Sequence, residues 1–208
     1  MQDAGQALGL IEKHRGRLVE AKQAQRKSYR LLRELGNRHG AANVAANLTM
    51  TLVWGAYEEA SGRFQQAATV LTEYGKNTRM MPLMFQAFAL CRFGRPGQAA
   101  GVLAEALRES IVLHVFFVVV NALPAAAQLA ATAGDAERTL VLCALAGRYP
   151  YVANSRWIAD IVGGDVDEWA ASLTPDAATA ARARGRALDL WKTAAELMVA
   201  FGGESVLR

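Results

Sequence analysis

A glycine turn that recurs four times is the strongest constraint on what this 208-residue chain can fold into. The turns are Gly16-Arg17-Leu18, Gly62-Arg63-Phe64, Gly94-Arg95-Pro96 and Gly134-Asp135-Ala136. Five residues after each glycine stands a small residue: Ala21, Ala67, Ala99 or Thr139. Each turn separates two stretches with helical apolar spacing. Glycine takes the left-handed backbone that ends a helix without a Cβ clash. The residue two places on plugs the bend, and the small residue lets the returning helix come close. These constraints describe an antiparallel α-hairpin, with Ala67 and Ala99 buried where the paired helices cross. Successive glycines are 46, 32 and 40 residues apart, within the range of helical-hairpin repeats.

Seven residues before each turn glycine the chain again places a small residue: Gly9, Gly55, Ala87 and Ala127. One place earlier stand Leu8, Trp54, Gln86 and Ala126, so the large residue of that position is present twice. Over roughly residues 4–150 this pattern resembles the tetratricopeptide repeat, with the closing proline missing or displaced. The resemblance implies an all-α fold, a right-handed superhelical stack of hairpins over residues 1–150. Capping helices of the same domain are expected over 151–208. A second resemblance lies in the tail, in AGRYPYVANSRW from Ala146 to Trp157 and ARGRALDLW from Ala183 to Trp191. Both are similar to the end of the repeat region in bacterial signal-transduction ATPases with numerous domains, including multidomain transcriptional regulators. Those proteins carry nucleotide-binding and effector domains as well. Here there is no GxxxxGK[ST] and no helix-turn-helix, so neither activity is implied for these residues. The chain opens almost inside its first helix, and a fragment of such a regulator is expected.

Helices are expected near 3–14, 18–36, 40–60, 64–76, 80–93, 96–109, 111–132, 136–147, 153–162, 165–171 and 175–201. Thr174 caps the last of these ahead of Pro175, Gly202-Gly203 ends it, and Pro124 kinks or splits the helix it falls in. The run from Ile111 to Ala133 has the length of a membrane span. However, His114, Asn121, Pro124 and Gln128 interrupt it and no Lys/Arg cluster flanks it. It reads as a helix buried by its neighbours, and no membrane partner is expected. Cys91 and Cys143 sit in apolar runs as small hydrophobes, which with the lack of a signal peptide points to the cytoplasm.

Composition supports a folded chain, at 52% hydrophobic and 20% charged. Of the charges, residues 1–109 hold 15 Lys/Arg against 9 Asp/Glu and residues 110–208 hold 8 against 10. The cations alternate with acids at helical spacing, which describes a solvated face, and no direct nucleic-acid binding is expected. His14 and His39 fall at basic, exposed helix ends, and His114 in the apolar run is a hydrogen-bonded core residue. No HExxH, GxSxG or Cys–His motif is present, so no enzyme, cofactor or metal is expected. Asp160, Asp165, Asp167 and Glu168 lack the ligand spacing of a calcium loop and serve as helix-start carboxylates.

Two sets of residues remain as candidates for binding. Asn43 and Asn47 are a helical turn apart, on the kind of helix that lines the concave face of a solenoid. With Arg38, Trp54, Tyr57 and Asn121 they either clamp the backbone of an extended peptide or bridge adjacent helices. Tyr149, Tyr151, Asn154, Arg156 and Trp157 form either a docking patch or the plug over the open end of the array. The expected function is a non-catalytic sensor or protein-interaction module that binds a peptide, a protein or a small inducer. The alternative is a homo-oligomeric scaffold.

Overall fold

The computed structural model describes residues 2–52, 69–70, 73 and 79–202. Among these every long element is an α-helix and there is no strand. The helices are α1 (Gln2–His14), α2 (Leu18–Glu34), α3 (Arg38–Leu52), α4 (Met80–Arg92), α5 (Pro96–Val112) and α6 (Phe116–Thr132). They are followed by α7 (Ala136–Ala146), α8 (Pro150–Ala153), α9 (Arg156–Ala171), α10 (Pro175–Ala187) and α11 (Leu190–Ala200). The expected Gly62 turn and Ala67 lie outside the described residues, as does the helix over 64–76 apart from residues 69–70 and 73.

One local device joins the hairpins. At Gly16, Gly36, Gly94 and Gly134 the backbone is left-handed, with φ between 68° and 79°. The following amide reaches back to close the helix end, as in Arg17 N–H to Glu12 C=O at 2.9 Å and Asp135 N–H to Ala130 C=O at 3.0 Å. This is the Schellman pattern. The residue that closes one helix then opens the next: the Asp135 carboxylate accepts the Arg138 N–H, and the Asn37 side-chain oxygen accepts the Gly40 N–H, both at 2.8 Å. Three residues suffice to reverse the chain.

The same device stands where no glycine announced it. His114 has φ 52°, and the next amide, Val115 N–H, bonds Ser110 C=O at 2.8 Å. Gly94, His114 and Gly134 are therefore twenty residues apart, as are Gly16 and Gly36. The expected single helix over 111–132 is corrected: α5 ends at Val112 and α6 begins at Phe116. The expectation that His114 lies in the core is corrected too. It is exposed at the turn, with its ring 5.4 Å from that of Trp191. No described helix is long and apolar enough to cross a membrane. A β-branched side chain is a poor occupant of left-handed backbone. His114→Val is therefore expected to cost about 1–2 kcal/mol in urea unfolding, whereas His114→Asn stays within about 0.5 kcal/mol of the parent.

Pro124 neither splits nor ends α6. Every residue from Val118 to Leu129 is buried. The transfer of those side chains, at about 1.5–3 kcal/mol for each large one, outweighs the roughly 3 kcal/mol a mid-helix proline costs. Two further boundaries differ from expectation. The two helices expected over 153–162 and 165–171 are a single helix, α9, running through Gly163-Gly164, and the one-turn α8 precedes it. The stretch over 175–201 breaks into α10 and α11 because Leu188 is extended and the Asp189 side chain caps Lys192 N–H at 2.8 Å. Thr174 caps Ala177 N–H ahead of Pro175, and Gly202 at φ 90° follows α11.

The small-residue rule holds at each described turn where it was read: Ala21, Ala99 and Thr139 are all buried to 1% exposure or less. The core centres on α4, α5 and α6, where Met84, Leu103, Leu107 and Leu123 meet Leu145 and Met198. Helices α4 and α5, α5 and α6, and α6 and α7 pack as successive neighbours, and α4 also touches α6. The later helices cover this stack, α10 on α7 and α11 on α5 and α6. Helix α1 packs on α2 through Gly5 and Gly9, and on its other side it meets α9.

Candidate functional site

The Tyr149–Trp157 segment is a sharp bend between α7 and α9, and its local chemistry decides which side chains turn inward. Pro150 supplies the fixed φ that starts α8. Ser155 is the N-cap of α9, its hydroxyl accepting the Ile158 N–H at 3.1 Å. Trp157, the second residue of α9, is 2% exposed and packs edge-on to Phe88 with ring centroids 5.9 Å apart. Its indole N–H finds no hydrogen-bond partner among the described residues. Tyr149 is half-buried, Tyr151 lies at the surface, and Asn154 is exposed as the C-cap of α8. Arg156 is exposed and pairs with Asp160 one turn on at 2.9 Å. The segment is thus divided, with Ser155 and Trp157 sealing the core, Tyr149 packed partly against it and Tyr151 at the surface.

The outward rings continue onto other elements. Phe117 lies edge-on to Tyr151 at 4.5 Å between centroids, and Phe116 edge-on to Tyr149 at 5.5 Å. The Arg148 guanidinium sits 5.9 Å from the Tyr149 ring. At the far end the Tyr151 hydroxyl is 2.7 Å from His14 Nε2 and the rings meet edge-on. Phe116 is 50% exposed, and Phe117 and Tyr151 are each 37% exposed, far above what rings of their size show in a core. Neither phenylalanine was expected here. Within an unbroken apolar run they read as buried, and the turn at His114 is what brings them to the surface.

Beneath this band the structure places a group that the sequence concealed. Lys13, in the last turn of α1, is 1% exposed, with its ammonium nitrogen 5.0 Å from the Phe85 ring centroid and 4.4 Å from that of Trp157. Among the described residues no carboxylate pairs with it. Burial pulls its pKa down from 10.5 to about 7. The neighbouring Glu12 turns away to Arg17, which bonds it through two guanidinium nitrogens, one at 2.8 Å. That bond holds the Glu12 pKa below its ordinary value. His14, expected at an exposed end, is half-buried between Ser155 Oγ at 2.6 Å and Tyr151. Burial, helped by the nearby Lys13, pushes the His14 pKa down to about 3, so the imidazole is neutral at physiological pH. This Lys13–His14 pair clasps α1 to the α8–α9 corner.

The described members of the amide set make their bonds locally. Asn47 is buried and donates to Asn43 C=O at 3.0 Å, and Asn121 is buried and donates to Phe117 C=O at 2.8 Å. Both bonds close within the residue's own helix, four positions back, rather than across to a neighbouring helix. Asn43 is half-buried, with its amide 3.3 Å from His39 Nε2. Arg38 is exposed and pairs with Glu73 at 3.0 Å. Trp54 and Tyr57 lie outside the described residues.

A shallow groove of about 430 Å³ runs between α7 and α10, lined by Asp135, Glu137, Arg138, Val141, Arg184 and Leu188. It is lined by none of the candidate binding residues and by no ring of the aromatic band. No cluster of three metal-ligating side chains occurs among the described residues. Compared with family models, with curated proteins and with solved structures, the chain finds no match.

Proposed function

We propose that this chain is a non-catalytic docking module within a larger regulator, and that it holds a peptide or protein segment against Phe116, Phe117, Tyr149 and Tyr151. The exposed aromatic band carries this reading. Tyrosine, aromatic and arginine side chains dominate binding hot spots. A large ring left half in water retains much of the roughly 1.5–3 kcal/mol that its burial would release. The rings are held edge-on by one another and by the α8 bend, so little ordering is left for a partner to impose.

The twenty-residue rhythm of the turns supports a tetratricopeptide-like stack of the hairpins, superhelical and right-handed, with α8 to α11 as its cap. The non-catalytic part of the proposal rests on the titratable groups. The thiols of Cys91 and Cys143 are pushed up to about 12 by burial, so both are protonated at neutral pH. The His14 imidazole is already engaged on both nitrogens. The open, charge-lined groove on α7 and α10 offers a small inducer little enclosure, which favours a macromolecular ligand.

A displayed peptide library panned against the whole chain tests this. Enriched peptides are expected to lose at least about tenfold in affinity on Phe116→Ser/Phe117→Ser, with the melting midpoint of the free protein nearly unchanged. Peptides held equally by the double variant would take the band out of the site. Self-association abolished by the same variant, with no peptide enriched, would give the band to a second copy of the chain.

A further inference from the structure

A separate surface, the outer face of α2, carries a row of cations without ion-pair partners among the described residues. The helix buries Ala21, Gln25, Ser28 and Leu32, a stripe at helical spacing. On the opposite side Lys22, Arg26, Arg30 and Arg33 fall within an arc of about 80° and along ~16 Å of the axis, roughly one per turn. The three arginines are exposed and Lys22 is half-buried. Among the described residues none of the four makes an ion pair. The nearby Arg15 and Arg17, by contrast, are taken up by Glu12, and Arg38 by Glu73. Like charges one turn apart repel, so the row is an arrangement that an opposing line of charge would relieve. Val19, at 64% exposure, stands in the same arc.

Three observations select the kind of occupant. Glu20 and Glu34 are exposed on the adjoining flank of the same helix. A duplex or a membrane wide enough to cover α2 would meet those carboxylates, and a narrow segment would not. The one aromatic ring on α2, Tyr29, flanks the row but is half-buried against Leu32, Ala41 and Val44, so the helix offers a base no exposed ring on which to stack. Its period of one turn matches carboxylates at i, i+4 on a second helix, and a guanidinium holds a carboxylate through two parallel bonds. We infer that this face of α2 docks an acidic helical segment of a partner protein, its carboxylates lined up one per turn and an apolar residue set against Val19.

Fluorescence anisotropy on the full chain at low salt tests the assignment. The probes are a helical peptide with glutamates at i, i+4, i+8 and i+11, its glutamine counterpart, single-stranded and duplex DNA, and phosphatidylserine vesicles. The glutamate peptide alone is expected to bind, more weakly as salt rises, and to lose at least about tenfold on Arg26→Glu/Arg30→Glu. Lys192→Glu, on another surface, is expected to change nothing. The milder Arg26→Gln/Arg30→Gln pair, with circular dichroism melts, serves should charge reversal disturb folding. Tighter binding of DNA or vesicles would overturn the inference. So would failure of the glutamate peptide to bind, or binding that survives charge reversal. Salt-sensitive self-association lost in the same variant would assign the face to a second copy instead. Neither α2 variant touches the aromatic band, so failure here leaves the docking reading of that band to its own test.

Discussion

Lys13→Met is expected to stabilise the protein at neutral pH by about 2–4 kcal/mol, an unusual direction for a change at a fully buried position. The expectation follows from the environment of the ammonium group, which is buried without a carboxylate among the described residues. A fall from 10.5 to about 7 corresponds to a penalty of several kcal/mol, at about 1.4 kcal/mol per pH unit. The Phe85 and Trp157 faces offset part of it, at roughly 0.5–2 kcal/mol each. Methionine keeps the length of the side chain and removes the charge. The pH dependence carries the same signature. Above about pH 7 the folded state releases the Lys13 proton, while the unfolded chain keeps it up to about pH 10. Wild-type stability should therefore rise with pH through that window, by up to about 1.4 kcal/mol per unit, and fall to its fully penalised level below it. Urea unfolding from about pH 6 to about pH 9 measures both effects. The variant should lack this contribution to the slope. A loss of stability in Lys13→Met at neutral pH would show that the rings hold the ammonium charged at a net gain.

Gly185→Ala is expected to be the most damaging alanine among the described glycines, costing about 3 kcal/mol or more. Here α10 crosses α7 so closely that a Cβ at this position would lie 2.2 Å from the Val141 carbonyl oxygen and 2.8 Å from the Ala144 Cβ. Backbone cannot step aside as the end of a long side chain does. The whole of α10 must lift, and with it the small core of Leu140, Val141, Ala178 and Ala181. Gly101 is the internal control. It lies within α5 with nothing inside 4 Å of the position its Cβ would take. Gly101→Ala should add about 0.5–1 kcal/mol through helix propensity alone. Denaturant midpoints that move in opposite directions for the two alanines would bear this out. Equal shifts would refute the close crossing.

What could be read from the sequence was what local chemistry controls. The turn at Gly94 required a residue without a Cβ, and Ala99 had to be small because the returning helix passes over it. Both facts are written in single letters. At His114 the same backbone is occupied by a residue that enters it at some cost, so the turn leaves no letter to read, and Phe116 and Phe117 have the sequence signature of core. Lys13 was hidden for a different reason. Glu12-Lys13-His14-Arg15 has the composition of a solvated helix end, and only the arrival of Trp157, far along the chain, turns it into an interior. Half of the candidate segment, Tyr149 and Tyr151, was legible because aromatic residues crowded around a proline bend are conspicuous. For the amides the sequence leaves the choice open, because an asparagine that donates to its own helix, as Asn47 and Asn121 do, is spelled the same as one offered to a ligand.

The meeting of α1 with α9 changes how such a chain comes apart. In a linear array each hairpin leans only on its neighbours, and the ends fray independently of the middle. Here the first helix is held by the corner beside the ninth: Gly16 lies against the Arg156 stem, and His14 is wedged between Ser155 and Tyr151. Releasing either end removes a wall from the other. The molecule therefore behaves less like a row of bricks than like a belt with its buckle fastened. Strain entered at α1 is delivered to the α8–α9 corner, and loss of this buckle is expected to loosen both the first hairpin and that corner together.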